Sequence, residues 1–154
     1  SLIFSSCKKE EDEVVTPTDI RDQLVGEYSG AATGILTNLN SMATENLVGL
    51  VTWRCEKSGS SNINLILPGF GGAGEDLIIP CNQITEVAGG LTLAIIETDG
   101  IIMANPDGSF GPSYILNGEN GPQTYKSADG EMSFSFTAEN AQIMYELEVL
   151  GTKN

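Results

Sequence analysis

The feature that most constrains this chain is strict alternation near its C-terminal end. Met132, Phe134 and Phe136 alternate with Ser133 and Ser135, and Ile143, Tyr145, Leu147 and Val149 share one face while Glu146 and Glu148 share the other. A repeat of two sends successive side chains to opposite faces of a strand, one buried and one wetted. Asp129-Gly130, just before the first run, is a turn signal. Upstream, residues 25–37, 47–57, 63–67, 77–81, 91–96 and 101–103 also read as strands. Ser58-Gly59-Ser60-Ser61, Gly89-Gly90 and Asp99-Gly100 supply turns between them. The total is eight short strands, spaced as in an antiparallel sandwich or barrel. Residues 105–126, dense in Gly, Pro and Asn, read as the longest irregular stretch and carry Phe110, Tyr114 and Tyr125. Pro80 points to an edge or a bulge. Over residues 18–24, Thr18 reads as the N-cap of one helical turn with acids in its first positions.

Glycine sharpens this picture. Gly26, Tyr28, Gly30, Ala32 and Gly34 fall on one face of the first strand. Glycine at such density marks tight curvature or close backbone approach. So bare a face also predicts a cavity inside a small barrel, unless Trp53, Phe134 and Phe136 fill it from across. On the second strand Val51, Trp53 and Cys55 share one face, and Val48, Leu50, Thr52 and Arg54 the other.

Charge excludes several functions. The chain carries a net charge of −14, seven basic residues and no histidine. Nucleic-acid binding needs clustered Lys or Arg, so nucleic acid is not an expected partner. Without histidine, zinc lacks its usual ligand set and a serine or cysteine nucleophile lacks its usual base. No metal site, cofactor, catalytic residue or enzymatic activity is expected. Gly69-Phe70-Gly71-Gly72-Ala73-Gly74 has dinucleotide-loop spacing, but Glu75 and Asp76 follow it and a strand, not a helix, comes next; it reads as a plain loop. Asn105-Pro106-Asp107-Gly108-Ser109 alternates oxygen side chains but lacks the terminal Glu of a calcium loop, and reads as a turn. No apolar run approaches the roughly 20 residues of a membrane-spanning helix.

At the N-terminal end, Leu2, Ile3 and Phe4 precede Ser5, Ser6 and Cys7, and Lys8, Lys9, Glu10, Glu11, Asp12 and Glu13 follow. This resembles the end of a bacterial lipoprotein signal peptide. The resemblance implies that residues 1–6 are a signal remnant removed in the mature protein, and that acylated Cys7 makes the membrane contact. The charged run is similar to the surface-export signal of certain Gram-negative lipoproteins, which implies the outer membrane and its cell-surface face. It reads equally as a solvated, self-repelling linker, and both readings hold together. Residues 7–19 then form a flexible acidic tether, of which residues 8–19 span about 40 Å when extended, and residues 20–154 the folded domain. With Cys7 acylated, Cys55 and Cys81 remain as either a disulfide or two buried thiols.

The domain itself resembles the calycin-like, or lipocalin-like, group. Gly26-Glu27-Tyr28 after a short helical turn matches that group's opening signature, with Tyr where lipocalins carry Trp. The pair at 63–67 and 77–79 and the closing run from 132 to 152 are also similar, although the last strand offers no Arg to pack over the signature aromatic. The resemblance implies an all-β, eight-stranded antiparallel up-and-down barrel with a short N-terminal helical turn, with Tyr28 inside its closed end. It also implies non-covalent binding of a small, mostly apolar molecule or a sugar. In that reading residues 105–126 form a lid, Tyr114 and Tyr125 are amphipathic contacts at the rim, and Trp53 either lines the site or belongs to the core. The alternative is an interaction module, its barrel filled, that meets a partner protein or an extracellular glycan through its outer surface. An open interior favours the first; a filled one favours the second.

Overall fold

The structure is a computed structural model that describes residues 18–70, 76–104, 110–119 and 121–154. A 3-10 turn at Ile20–Gln23 leads into ten strands: β1 (Gly26–Asn38), β2 (Thr44–Ser58), β3 (Asn62–Leu67), β4 (Leu77–Val87), β5 (Gly90–Ile95), β6 (Thr98–Ala104), β7 (Phe110–Gly118), β8 (Gln123–Lys126), β9 (Glu131–Glu139) and β10 (Ile143–Lys153). All pair antiparallel in the order β10-β1-β2-β3-β4-β5-β8-β9-β7-β6, and β9 pairs back onto β10. Eight strands thereby close an up-and-down ring, while β6 and β7 form a hairpin branching from β9.

Three expectations are corrected. Residues 105–126 are not one irregular stretch, because β7 and β8 lie within them. The strand read at 101–103 belongs to β6 in the side hairpin, and the ring position expected for it is taken by β8. Being four residues long, β8 shows too little alternation to stand out, and it is held by its pairing to β5 and β9. At the N-terminal turn the capping residue is Asp19, not Thr18, its side chain accepting from the Arg21 N–H.

The branch has a specific device. Met132 and Ser133 of β9 pair with β8, whereas Phe136 and Thr137 pair with β7. The Ser135 backbone lies between the two ladders, and a side chain completes it. The Ser135 N–H donates to Gln123 Oε1 at 2.7 Å, and its carbonyl accepts from the Glu119 N–H at 2.9 Å. Gln123 Nε2 donates in turn to the Glu119 and Gly121 carbonyls at 3.2 and 2.9 Å. Gln123 is buried. With its amide on both sides satisfied, the β7–β8 turn is stitched to the sheet where backbone pairing lapses.

One end of the ring is closed by the N-terminal turn. Arg21 Nη1 donates to the carbonyls of Gly59 and Asn62 at 3.2 and 2.9 Å, tying the turn to the β2–β3 hairpin. The Arg21 side chain also bonds the Asp19 carboxylate, holding its carboxyl well below the usual range. A lowered folded-state pKa means this contribution is present at neutral pH and lost only as pH falls through that lowered value. Tyr28 donates its hydroxyl to the Leu24 carbonyl at 2.7 Å, and Lys153 Nζ reaches the Gln23 carbonyl at 2.8 Å.

The bare face of β1 serves close approach, not a cavity. A Cβ on Gly30 would overlap the Leu150 carbonyl oxygen of β10, and one on Gly34 would overlap that of Glu146. Gly151 answers from β10, where a Cβ would stand 2.7 Å from Trp53 Cη2. Pro80 sits just before a register shift between Asn82 and Thr85, in keeping with the bulge expected there.

Candidate functional site

Rings fill the interior. Tyr28 stacks on Trp53 with centroids 5.2 Å apart, Trp53 meets Phe134 edge-on at 5.3 Å, and Phe134 stacks on Phe136 at 6.1 Å. Toward the other end Phe136 lies 6.3 Å from Phe70, which packs on Tyr145 at 4.8 Å and Tyr114 at 6.2 Å. These separations are those of offset and edge-to-face contact. The chain of rings therefore runs from the closed end to the opposite one, walled by Leu65, Ile79, Leu91, Leu93 and Met132, all buried.

This arrangement locates the three aromatic residues expected at a ligand site. Trp53 is 2 % exposed, and its Nε1–H has no partner among the described residues. Tyr114, in β7, is 3 % exposed and faces the Phe70–Tyr145 cluster. Tyr125, in β8, is 6 % exposed and pairs with Leu91. Tyr114 and Tyr125 are thus core residues of strands, not exposed side chains on a lid. Alternation of Gln123 and Tyr125 with Thr124 and Lys126 was the available signal, too short to separate from a loop. Cys7, Lys8, Lys9, Glu10, Glu11, Asp12 and Glu13 lie outside the described residues, as do Asn105 to Ser109 and most of the glycine-rich loop after Phe70.

The two remaining thiols are free and buried. Cys55 pairs with Leu65 and Cys81 with Ile63, so β3 lies between them. Two strand spacings and a two-residue offset along β3 put their Cα atoms about 11–12 Å apart, beyond disulfide reach. Burial pushes the Cys55 thiol up to about 12 and the Cys81 thiol upward as well. Both differ in this from reactive cysteines, which are partly exposed and have lowered pKa values. Among the described residues no cluster of His, Cys, Asp and Glu could hold a metal ion, and no helix is long and apolar enough to cross a membrane.

A groove of about 250 Å³ runs over β1, β9 and β10, with Glu119, Glu146 and Glu148 around Ser135 and Thr137. Beside it the outer face of β10-β1-β2 is set in rows by the register. Leu150, Ala31 and Leu50 are neighbours across three strands, followed by Glu148, Thr33 and Val48. Leu50 is 95 % exposed, Val48 82 % and Leu150 51 %. Furthermore, β3 pairs with β2 only from Arg54 to Ser58. Among the described residues nothing pairs with the outer edge of β2 over residues 44–52. Sequence reasoning placed Val48 and Leu50 on a common face but did not single them out, since nothing in the alternation shows which face meets solvent. Comparison with protein-family models, with curated proteins and with solved structures finds no match to this chain.

Proposed function

We propose that this chain is a non-enzymatic interaction module, a calycin-like barrel that works through its outer surface and not through an internal ligand chamber. The observation that carries the reading is the unbroken series of rings from Tyr28 to Tyr145 inside the sheet. Small barrels of this strand number either hold one small molecule or are filled by their own side chains, and here aromatic side chains occupy that space. The exposed apolar column of Val48 and Leu50, flanked by the acidic column of Glu146 and Glu148, supplies a surface with both contact area and charge. A membrane contact through acylated Cys7, with the acidic run Lys8 to Glu13 as surface-export signal and spacer, is the proposed setting for that surface. Net charge of −14 disfavours adsorption of the folded domain on anionic lipid, so the anchor has to be covalent.

The test uses Trp53, the sole tryptophan, which touches Tyr28 and Phe134 and so reports on the interior. Fatty acids, phospholipids and oligosaccharides are titrated into the full chain while Trp53 emission and the melting temperature are followed. Neither is expected to change. A saturable change in emission with a rise in melting temperature signals a ligand bound inside the folded ring, and would return the function to small-molecule carriage.

A further inference from the structure

The free edge of β2 lacks the devices that ordinarily protect an exposed strand. Exposed edges are ordinarily blunted by inward charges, Pro or a bulge. Residues 46–52 of β2 contain no charged residue and no Pro, and their pairing with β1 is continuous, with no register shift. A chain with net charge −14 has kept a seven-residue edge neutral. Gly49 adds a second observation. Gly30, Gly34 and Gly151 are each crowded by a neighbouring backbone, but a Cβ on Gly49 would meet nothing within 4 Å. Glycine inside a strand weakens it and often marks a place where another backbone approaches closely; among the described residues none crowds Gly49.

The local sequence is self-complementary. Leu47-Val48-Gly49-Leu50-Val51, laid antiparallel on itself about Gly49, sets Val48 against Leu50 and Leu47 against Val51. Each pair keeps its face: Leu47 and Val51 pack toward the core, whereas Val48 and Leu50 point outward. Charge agrees with a second copy as occupant. In this register Glu45 stands opposite Trp53 and not opposite its own counterpart. Glu146 and Glu148 stand two strands in from the edge, so they lie about 20 Å or more from their counterparts across the new pair at ordinary strand spacing, well beyond the roughly 8 Å over which exposed charges interact at physiological salt.

We infer that residues 46–52 of β2 pair antiparallel with the same residues of a second copy, about a two-fold axis at Gly49, joining the two β10-β1-β2 flanks into one continuous sheet. This inference rests on the outer-surface reading above and names its partner. A seven-residue edge with two exposed apolar side chains per copy falls short of the ~800 Å² per partner of a stable interface. Dimerisation is therefore weak in solution, in the micromolar range or above. Tethering both copies to one membrane raises their effective concentration and favours the pair.

Sedimentation velocity of the full chain across a concentration series tests the association, and cysteine cross-linking tests the register. A monomer–dimer equilibrium is expected, with Leu50→Lys weakening it roughly tenfold or more, since desolvating a lysine at a paired edge costs at least as much as a mismatched contact. In a Cys7→Ser background, Gly49→Cys should form a disulfide-linked dimer under mild oxidation, because residue 49 then faces its own copy at about 5 Å between Cα atoms. Asn46→Cys, opposite residue 52, should not. A wild-type chain that stays monomeric at every concentration, or cross-linking equally efficient at both positions, overturns the self-pairing. If Trp53 stays inert to the ligand panel in that case, the outer-surface reading survives and only the identity of its partner falls.

Discussion

The two halves of β2 show how one strand can serve two ends. From Trp53 to Ser58 it runs between β1 and β3, and its inward residues Trp53 and Cys55 are in the core. Over residues 44–52 it pairs, among the described residues, with β1 on one side only, and Val48 and Leu50 on its outer face meet solvent almost completely. The β-branched residues Thr44, Val48, Val51 and Thr52 all lie in the open half, and the closed half has none. Propensity alone would favour the open half, and its unpaired edge comes from where the pairing with β3 ends. A strand with both edges satisfied stabilises the fold; the same strand with one edge open presents hydrogen-bonding groups and apolar side chains outward. On the proposed reading, stability and recognition are divided along one element.

Truncation in the closed half should have the largest effect. Trp53→Ala removes the ring that touches both Tyr28 and Phe134, and is expected to cost about 3–5 kcal/mol in urea unfolding, as for other buried aromatics. A loss under about 1 kcal/mol would place Trp53 outside the packed interior. An intermediate effect is expected at the branch. Gln123→Leu leaves the Ser135 N–H and the Glu119 carbonyl without their partner, which should cost about 1–3 kcal/mol. Amide exchange at Ser135 should accelerate together with that loss, and unchanged exchange would mean that the stitch is dispensable. The open half should respond least. Leu50→Lys, measured on dilute protein, should alter stability by no more than about 0.5 kcal/mol, as at other exposed positions. A large destabilisation would show that Leu50 is covered in the folded chain, and the contrast between the two halves would disappear.

Much of this architecture is legible in the chain, for reasons that differ by element. Strand β10 alternates cleanly because one face packs inward while the other is wetted, whereas in β9 the expected outward residues Ser135 and Thr137 are buried as well, beside the branch. Tyr28 is expected inside from the resemblance of Gly26-Glu27-Tyr28 to the calycin-like opening signature, and it is fully buried. By contrast β8 is hidden, because four residues amid turn-forming neighbours carry too short a pattern, and pairing to β5 and β9 holds it in place. The glycines of β1 are ambiguous in principle. A missing side chain can leave a gap or admit a backbone, and only the neighbouring strand decides; here β10 moves in. Equally, Cys55 and Cys81 sit at positions whose relation depends on β3 lying between them. The free edge of β2 is the least legible feature, since an unmade pairing leaves no mark on the strand that lacks it.

The central claim is that the space inside the ring belongs to the protein's own side chains. Xenon under pressure tests it directly in a crystal of this chain, because apolar cavities of about 150 Å³ stay dry and take up the gas. No xenon is expected within the ring, with Gly30 and Gly34 lying against the β10 backbone and Trp53 between Tyr28 and Phe134. A well-occupied xenon site beside Gly30, Ala32 and Gly34 would contradict it and restore an internal ligand chamber.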